Sequence, residues 1–217
     1  MRRRRRLRAA VCSLVLVTCG CAGAVERGDF EQQIRARGGG LVSALPADAV
    51  EALRNRLGSN DIEASVVLLT APDSTGFRLT LIDQPAQVSG FLAEHTDLST
   101  REPAVRLRIR SPQRPTELDD FTFRLGRLGA PQPVRVSAAD DLDGQCFALS
   151  DVPGLARLES VVDTARARSE LTDATVPVVL VSRFGHDIRI VANVVSPRAE
   201  TVAEFDAAGA FLRIRRV

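Results

Sequence analysis

The sequence contains no lysine, tryptophan or tyrosine, one methionine and only two histidines. Its four cysteines are unevenly placed: Cys12, Cys19 and Cys21 fall within the first 21 residues, and Cys146 stands alone. Each shortage removes a class of function. With no Trp or Tyr and nine Phe, few aromatic platforms are left on which bases or sugars could stack. His95 in EHTD and His186 in FGHD lack zinc-ligand spacing and fall at loop positions, where histidine is ordinarily solvated; neither is expected to hold a metal. A Gly-x-Ser-x-Gly elbow, a phosphate-binding glycine loop and a dinucleotide fingerprint are all missing, so neither motif-borne catalysis nor a cofactor is expected. ADDLDGQ places Asp141, Asp143 and Gly144 at calcium-loop offsets, but Ala139 and Ser150 stand where the first and last acids belong, so a polar turn is the expectation.

What is present begins with charge. Five consecutive arginines, Arg2 to Arg6, and Arg8 precede an apolar run from Ala9 to Val17, which is shorter than the roughly 20 residues a membrane span needs. A basic region followed by a short apolar one is the order of a secretory signal. Two cuts then compete. Gly20 before Cys21 suits a peptidase that cleaves ahead of a diacylglycerol-bearing cysteine, whereas Ala22-Gly23-Ala24 is an A-x-A site that would release a soluble chain from Val25.

The segment Thr18-Cys19-Gly20-Cys21 resembles the lipobox of bacterial envelope lipoproteins, and the arginine- and alanine-rich, lysine-free composition resembles that of actinobacterial proteins. The resemblance implies a signal peptide over 1–20, a lipid anchor at Cys21 with a tether over 21–40, and a place on the extracytoplasmic face of the cell membrane. Secretion is the alternative. Acylation of Cys21 would leave Cys146 as the sole free thiol, expected to act as a small buried hydrophobe.

Removing the leader changes the charge balance. The whole chain carries 29 basic and 27 acidic residues, net +2, but six of the basic ones lie in the leader, so the remainder carries 23 against 27, net −4. A mildly acidic body argues against nucleic acid as a partner.

Beyond the tether, SALPADAVEALRNRLGSND predicts a helix with Pro46 near its start and Gly58 as its stop. Residues 62–70 and 76–83 predict a hairpin, and 104–110, 121–126 and, more weakly, 133–137 predict further strands. A second helix is predicted after Ser150 or Asp151 with Pro153 in its first turn, followed by strands over 175–183, 186–195, 201–206 and 210–217. The fold class is therefore α+β: an antiparallel, curved sheet with helices on one face, divided into helix-then-meander halves over 41–149 and 150–217, in one sheet or two.

Alternation along AVRLRIR sends Arg106, Arg108 and Arg110 to one face of a strand, and FLRIRRV does the same with Arg213 and Arg215. One reading is a solvated face whose arginines pair with acids such as Glu204 and Asp206; the other is a cationic surface for lipid headgroups, phosphate or a partner. In the last hairpin, charge favours a two-residue loop that puts Glu204 beside Arg213 and Arg215, while Gly209 favours a three-residue loop that sends those acids to the other face. The expected function is a non-catalytic, membrane-anchored envelope lipoprotein binding a lipid or an envelope protein. In size, leader and element types the chain is similar to bacterial lipoproteins that carry glycolipids. A protein-interaction module and an extracytoplasmic hydrolase are the alternatives.

Overall fold

The computed structural model describes residues 40–74, 83–95, 98 and 100–217. Cys21, the expected leader, the expected tether up to residue 39 and most of the strand expected at 76–83 lie outside the described residues.

Ten strands and four α-helices are present among the described residues. In chain order they are α1 (Ala44–Leu57), β1 (Glu63–Thr70), α2 (Ala86–Glu94), β2 (Ala104–Arg110), β3 (Leu118–Arg124), β4 (Arg127–Leu128) and β5 (Gln132–Val134), then α3 (Leu142–Gln145), β6 (Phe147–Ala148), α4 (Leu158–Ser169), β7 (Thr175–Phe184), β8 (Asp187–Val195), β9 (Glu200–Asp206) and β10 (Phe211–Arg216). They build one sheet, antiparallel throughout, in the order β10-β9-β8-β7-β1-β2-β3-β4, with β5 on β3 and β6 on β1. The α+β class read from the sequence is thus the observed one. β1 and β7 meet at the centre, where Leu68 faces Leu180. From that seam each chain segment runs outward strand by strand, β7 to β10 on one side and β1 to β4 on the other.

β1 shows why the two-sided burial arises. From Ala64 to Thr70 every residue is buried, as a near-continuous apolar run requires. Val67 and Leu69 join a core with β2's Val105, Leu107 and Ile109 under α1 and α4. Val66 and Leu68 join a second core on the opposite face, with Val178, Leu180, Val191 and Val202 under Val88 and Phe91 of α2. Helices were expected on one face; α1 and α4 do share a face, but α2 covers the other. Both edges of Val66–Thr70 are taken, one by β2 and the other by β7.

α1 ends where expected, at Gly58, whose left-handed φ of 64° lets its N–H reach back to the Arg54 carbonyl at 2.9 Å. The second long helix starts later than expected. Leu149–Asp151 and Pro153–Arg157 are 3-10 turns, and α4 opens at Leu158, whose N–H donates to Ser43 Oγ at 2.9 Å. Glu159, in the first turn of α4, also accepts from the Ser43 N–H at 2.8 Å and from the Ser43 hydroxyl. One carboxylate thereby serves the positive ends of both long helices.

The delay traces to Gly154. Its N–H donates to the Ala207 carbonyl at 2.9 Å, and a Cβ there would lie 2.4 Å from Ile190 Cδ1 and 2.8 Å from the Gly209 nitrogen. The chain must pass against the β9–β10 loop before it can turn into a helix. Gly154→Ala is expected to lower stability by about 1–3 kcal/mol through overpacking, read as a lower urea midpoint with an unchanged denaturant slope.

Candidate functional site

The face beneath α2 carries the charged residues singled out in the sequence. Its centre is apolar, and an ionic network lies on either side, one based on β2 and β3, the other on β8, β9 and β10. At about 4.8 Å per strand, the four steps from β2 to β9 separate them by about 19 Å. Arg106, Arg108 and Arg110 therefore do not form one patch with Arg213 and Arg215, although all five project from this face.

At the C-terminal end of α2, Arg108 is 5 % exposed and grips Asp120, its cross-strand neighbour, through Nε at 2.8 Å and Nη2 at 2.7 Å. Nη2 also donates to Glu94 at 2.5 Å, and the Phe91 ring lies 5.1 Å from the guanidinium carbon. Burial works against the charge of Arg108, but the hydrogen bonds and charges of Asp120 and Glu94 outweigh it, so its pKa is raised. His95 stacks on Phe91 with centroids 4.3 Å apart; its Nδ1 lies 2.8 Å from the Phe91 carbonyl and its Nε2 3.6 Å from Asp120. The solvated loop histidine expected from the sequence is instead half-buried against this cluster.

The neighbouring arginines are engaged as well. Arg110 reaches Asp143 at 2.8 Å, Glu63 at 3.2 Å and the Pro115 carbonyl, while Arg106 donates to Thr70 Oγ1 at 3.3 Å. Arg108 is thus corrected from a surface contact to an internal one. The reason is α2, which shields the strand face that alternation left open to solvent.

On the other side of α2, Glu204 is buried beneath three arginines. Its Oε2 accepts from Arg189 Nη1 and Arg213 Nη2, both at 2.9 Å, and its Oε1 from Arg215 Nε at 3.0 Å and Nη2 at 2.7 Å. The last hairpin satisfies both of the conflicting expectations. The loop has three residues with Gly209 at φ 82°, yet the register shifts between Phe211 and Arg213, so that Arg213 faces Glu204. The bulge at Leu212 returns the arginines to the face of the acid. Asp206 takes no part in this; its carboxylate accepts from the Ala210 N–H at 2.8 Å and holds the loop.

Burial, the largest single influence, would raise the Glu204 pKa, but the hydrogen bonds and charges of Arg213 and Arg215 together outweigh it and lower it below the usual carboxylate value of 4.5. Arg189, Arg213 and Arg215, with Asp83, Pro85, Phe184 and Gly185, line an open recess of about 290 Å³ beside the start of α2. Arg189 was missed by sequence reasoning, although it alternates with Ile188 and Ile190 just as Arg106 and Arg108 alternate with apolar residues. Asp120 was missed because the prolines of SPQRPTELDD marked the segment as loop, whereas β3 begins at Leu118.

The remaining candidates have local roles. Asp141 accepts from the Gly144 N–H at 3.0 Å and Asp140 from the Ser137 N–H at 2.6 Å, the polar turn that was expected. Among the described residues no group of three or more His, Cys, Asp or Glu could hold a metal, and no helix is long and apolar enough to cross a membrane. Cys146 is buried, and burial chiefly pushes its thiol up to about 11, so it carries no thiolate at neutral pH. His186 stands in the two-residue turn between β7 and β8. A recess of about 620 Å³ lies between α1 and residues 149–156, lined by Pro46, Val50, Arg54, Leu149, Val152 and Leu155 among others.

Two outcomes follow from the networks. Because the Glu204 pKa is lowered, its stabilisation is complete above about pH 5 and is lost as pH falls through the lowered value. Glu204→Gln should therefore cost about 2–3 kcal/mol at pH 7 and flatten the acid limb of a stability-against-pH curve from urea melts. Arg108→Ala should cost about 3–5 kcal/mol by stranding Asp120, and Arg108→Met combined with Asp120→Leu should recover most of that loss in the same melts.

Neither a protein-family model nor a curated protein matches the chain. Among solved structures it is similar to a protein from Clostridium difficile 630 that bears the name "putative lipoprotein". The two share 9 % identity over 79 % of this chain and 92 % of that one, with a TM-score of 0.47. A likeness of that size carries no argument about what this chain does.

Proposed function

We propose that the protein is a lipid-anchored, non-catalytic binding protein on the extracytoplasmic face of a cell membrane, held through Cys21, whose folded part binds another envelope component. Two supports are independent of each other. The anchor rests on sequence: a basic region, a short apolar run and Gly20 ahead of Cys21. Binding rests on one observation, the open recess in which three guanidinium groups are held around a single carboxylate. Three guanidinium groups clustered at an opening favour association with an anionic partner.

The rival to anchoring is secretion after Ala22-Gly23-Ala24. Intact mass and acyl-chain labelling of the protein isolated from its membranes, beside Cys21→Ala, separate the two. Anchoring requires a diacylglycerol-sized mass increment on a chain starting at Cys21, and loss of the label in the variant. An unlabelled chain starting at Val25 would discard the anchor.

A further inference from the structure

We propose that the recess between β8, β10 and the start of α2 binds a phosphate group, as a phosphomonoester or inorganic phosphate, with Arg189, Arg213 and Arg215 as its donors. The inference deepens the binding reading above and rests on it, but not on the anchor.

Charge is the first argument. Three guanidinium groups share one buried carboxylate, Glu204. Asp83, which lines the recess, lies 3.5 Å from Arg215, and Asp187, outside it, lies 3.6 Å from Arg189; they are 83 % and 75 % exposed, so water weakens both pairs. Against the one buried acid the three guanidinium groups are in excess by two charges, which the exposed Asp83 and Asp187 offset only in part, and this suits a dianionic phosphate better than a carboxylate, which carries a single charge.

Donor geometry is the second. Each guanidinium offers five N–H groups in a fixed fork that matches phosphate oxygens. Glu204 occupies one nitrogen of Arg189, one of Arg213 and two of Arg215. The forks are also held in place: Glu204 ties all three together, and the Phe184 ring lies 5.9 Å from the Arg189 guanidinium carbon. Preorganised donors lose little freedom on binding.

The surroundings agree. Pro85, which lines the recess, precedes the first turn of α2, and that helix start carries no side-chain cap and no acid. The positive end of its dipole adds to the same field. A volume of about 290 Å³ sits at the small end of ligand pockets, so a phosphate and its first substituent fit while an acyl chain stays outside.

Two sources share this chemistry, a free phosphomonoester and a lipid phosphate headgroup. The test titrates the full-length protein with glycerol phosphate by calorimetry, and sediments it with vesicles of phosphatidylcholine with or without phosphatidic acid. Arg213→Ala leaves Glu204 two arginine partners and should fold; Arg213→Lys keeps the charge without the fork; Arg114→Ala, an exposed arginine on the β2–β3 loop, is the control. The expected result is phosphate binding below about 1 mM, weakened about tenfold, or about 1.4 kcal/mol, by Arg213→Ala, weakened less by Arg213→Lys, and unchanged by Arg114→Ala.

Binding confined to glycerol phosphate assigns the free source. Stronger Arg213-dependent sedimentation with phosphatidic acid assigns the headgroup. Should neither ligand bind in a way that depends on Arg213, the proposal is overturned, while the acyl label on Cys21 is judged separately.

Discussion

The pairing of β1 with β7 is the contact from which the rest of the structure follows. Both strands are apolar on their two sides, so the sheet they centre must be covered twice. α1 and α4 supply one cover, their N-terminal ends joined through Ser43 and the Glu159 carboxylate. α2 supplies the other with only two fully buried side chains, Val88 and Phe91. So small a cover closes the apolar centre of its face and no more, leaving the charged flanks to satisfy themselves.

The two flanks meet that demand differently. On the β2 side, Arg108 and Asp120 lie opposite each other in register and are both buried, and the helix end adds the half-exposed Glu94. On the β9 side one buried acid meets three arginines, and their further charge is met near the surface, by water and by the exposed Asp83 and Asp187. Arginine suits both places. Its delocalised charge is less strongly hydrated than an ammonium, and its fork can bind two carboxylate oxygens at once, which a lysine cannot do.

The contrast between the predicted and observed elements has a common cause. Strands with strict alternation, such as AVRLRIR, and α1 with its terminal Gly58 were legible because period and capping are local properties. α2 was not: AQVSGFLAE is short, with an internal glycine and no side-chain cap, so its helix is stabilised by docking onto β1, β7 and β8 rather than by its own residues. The same dependence hid the Arg108 cluster, since alternation gives the face of a side chain but not what lies above it. In the last hairpin, turn chemistry and charge pairing pointed in opposite directions, and a bulge at Leu212, invisible to either rule alone, satisfied both.

Local pattern determined the class of fold, the paths of most strands, the two long helices, and the shared face of Arg213 and Arg215. These follow from periodicity, turn residues and charge order, which act over a few residues. Tertiary structure alone decided that α2 covers the second face, that Arg108 is internal, and that Arg189 joins Arg213 and Arg215 around Glu204. Those outcomes depend on β8, β9 and β10 being brought side by side, and side chains far apart in sequence share an electric field only once the sheet has assembled.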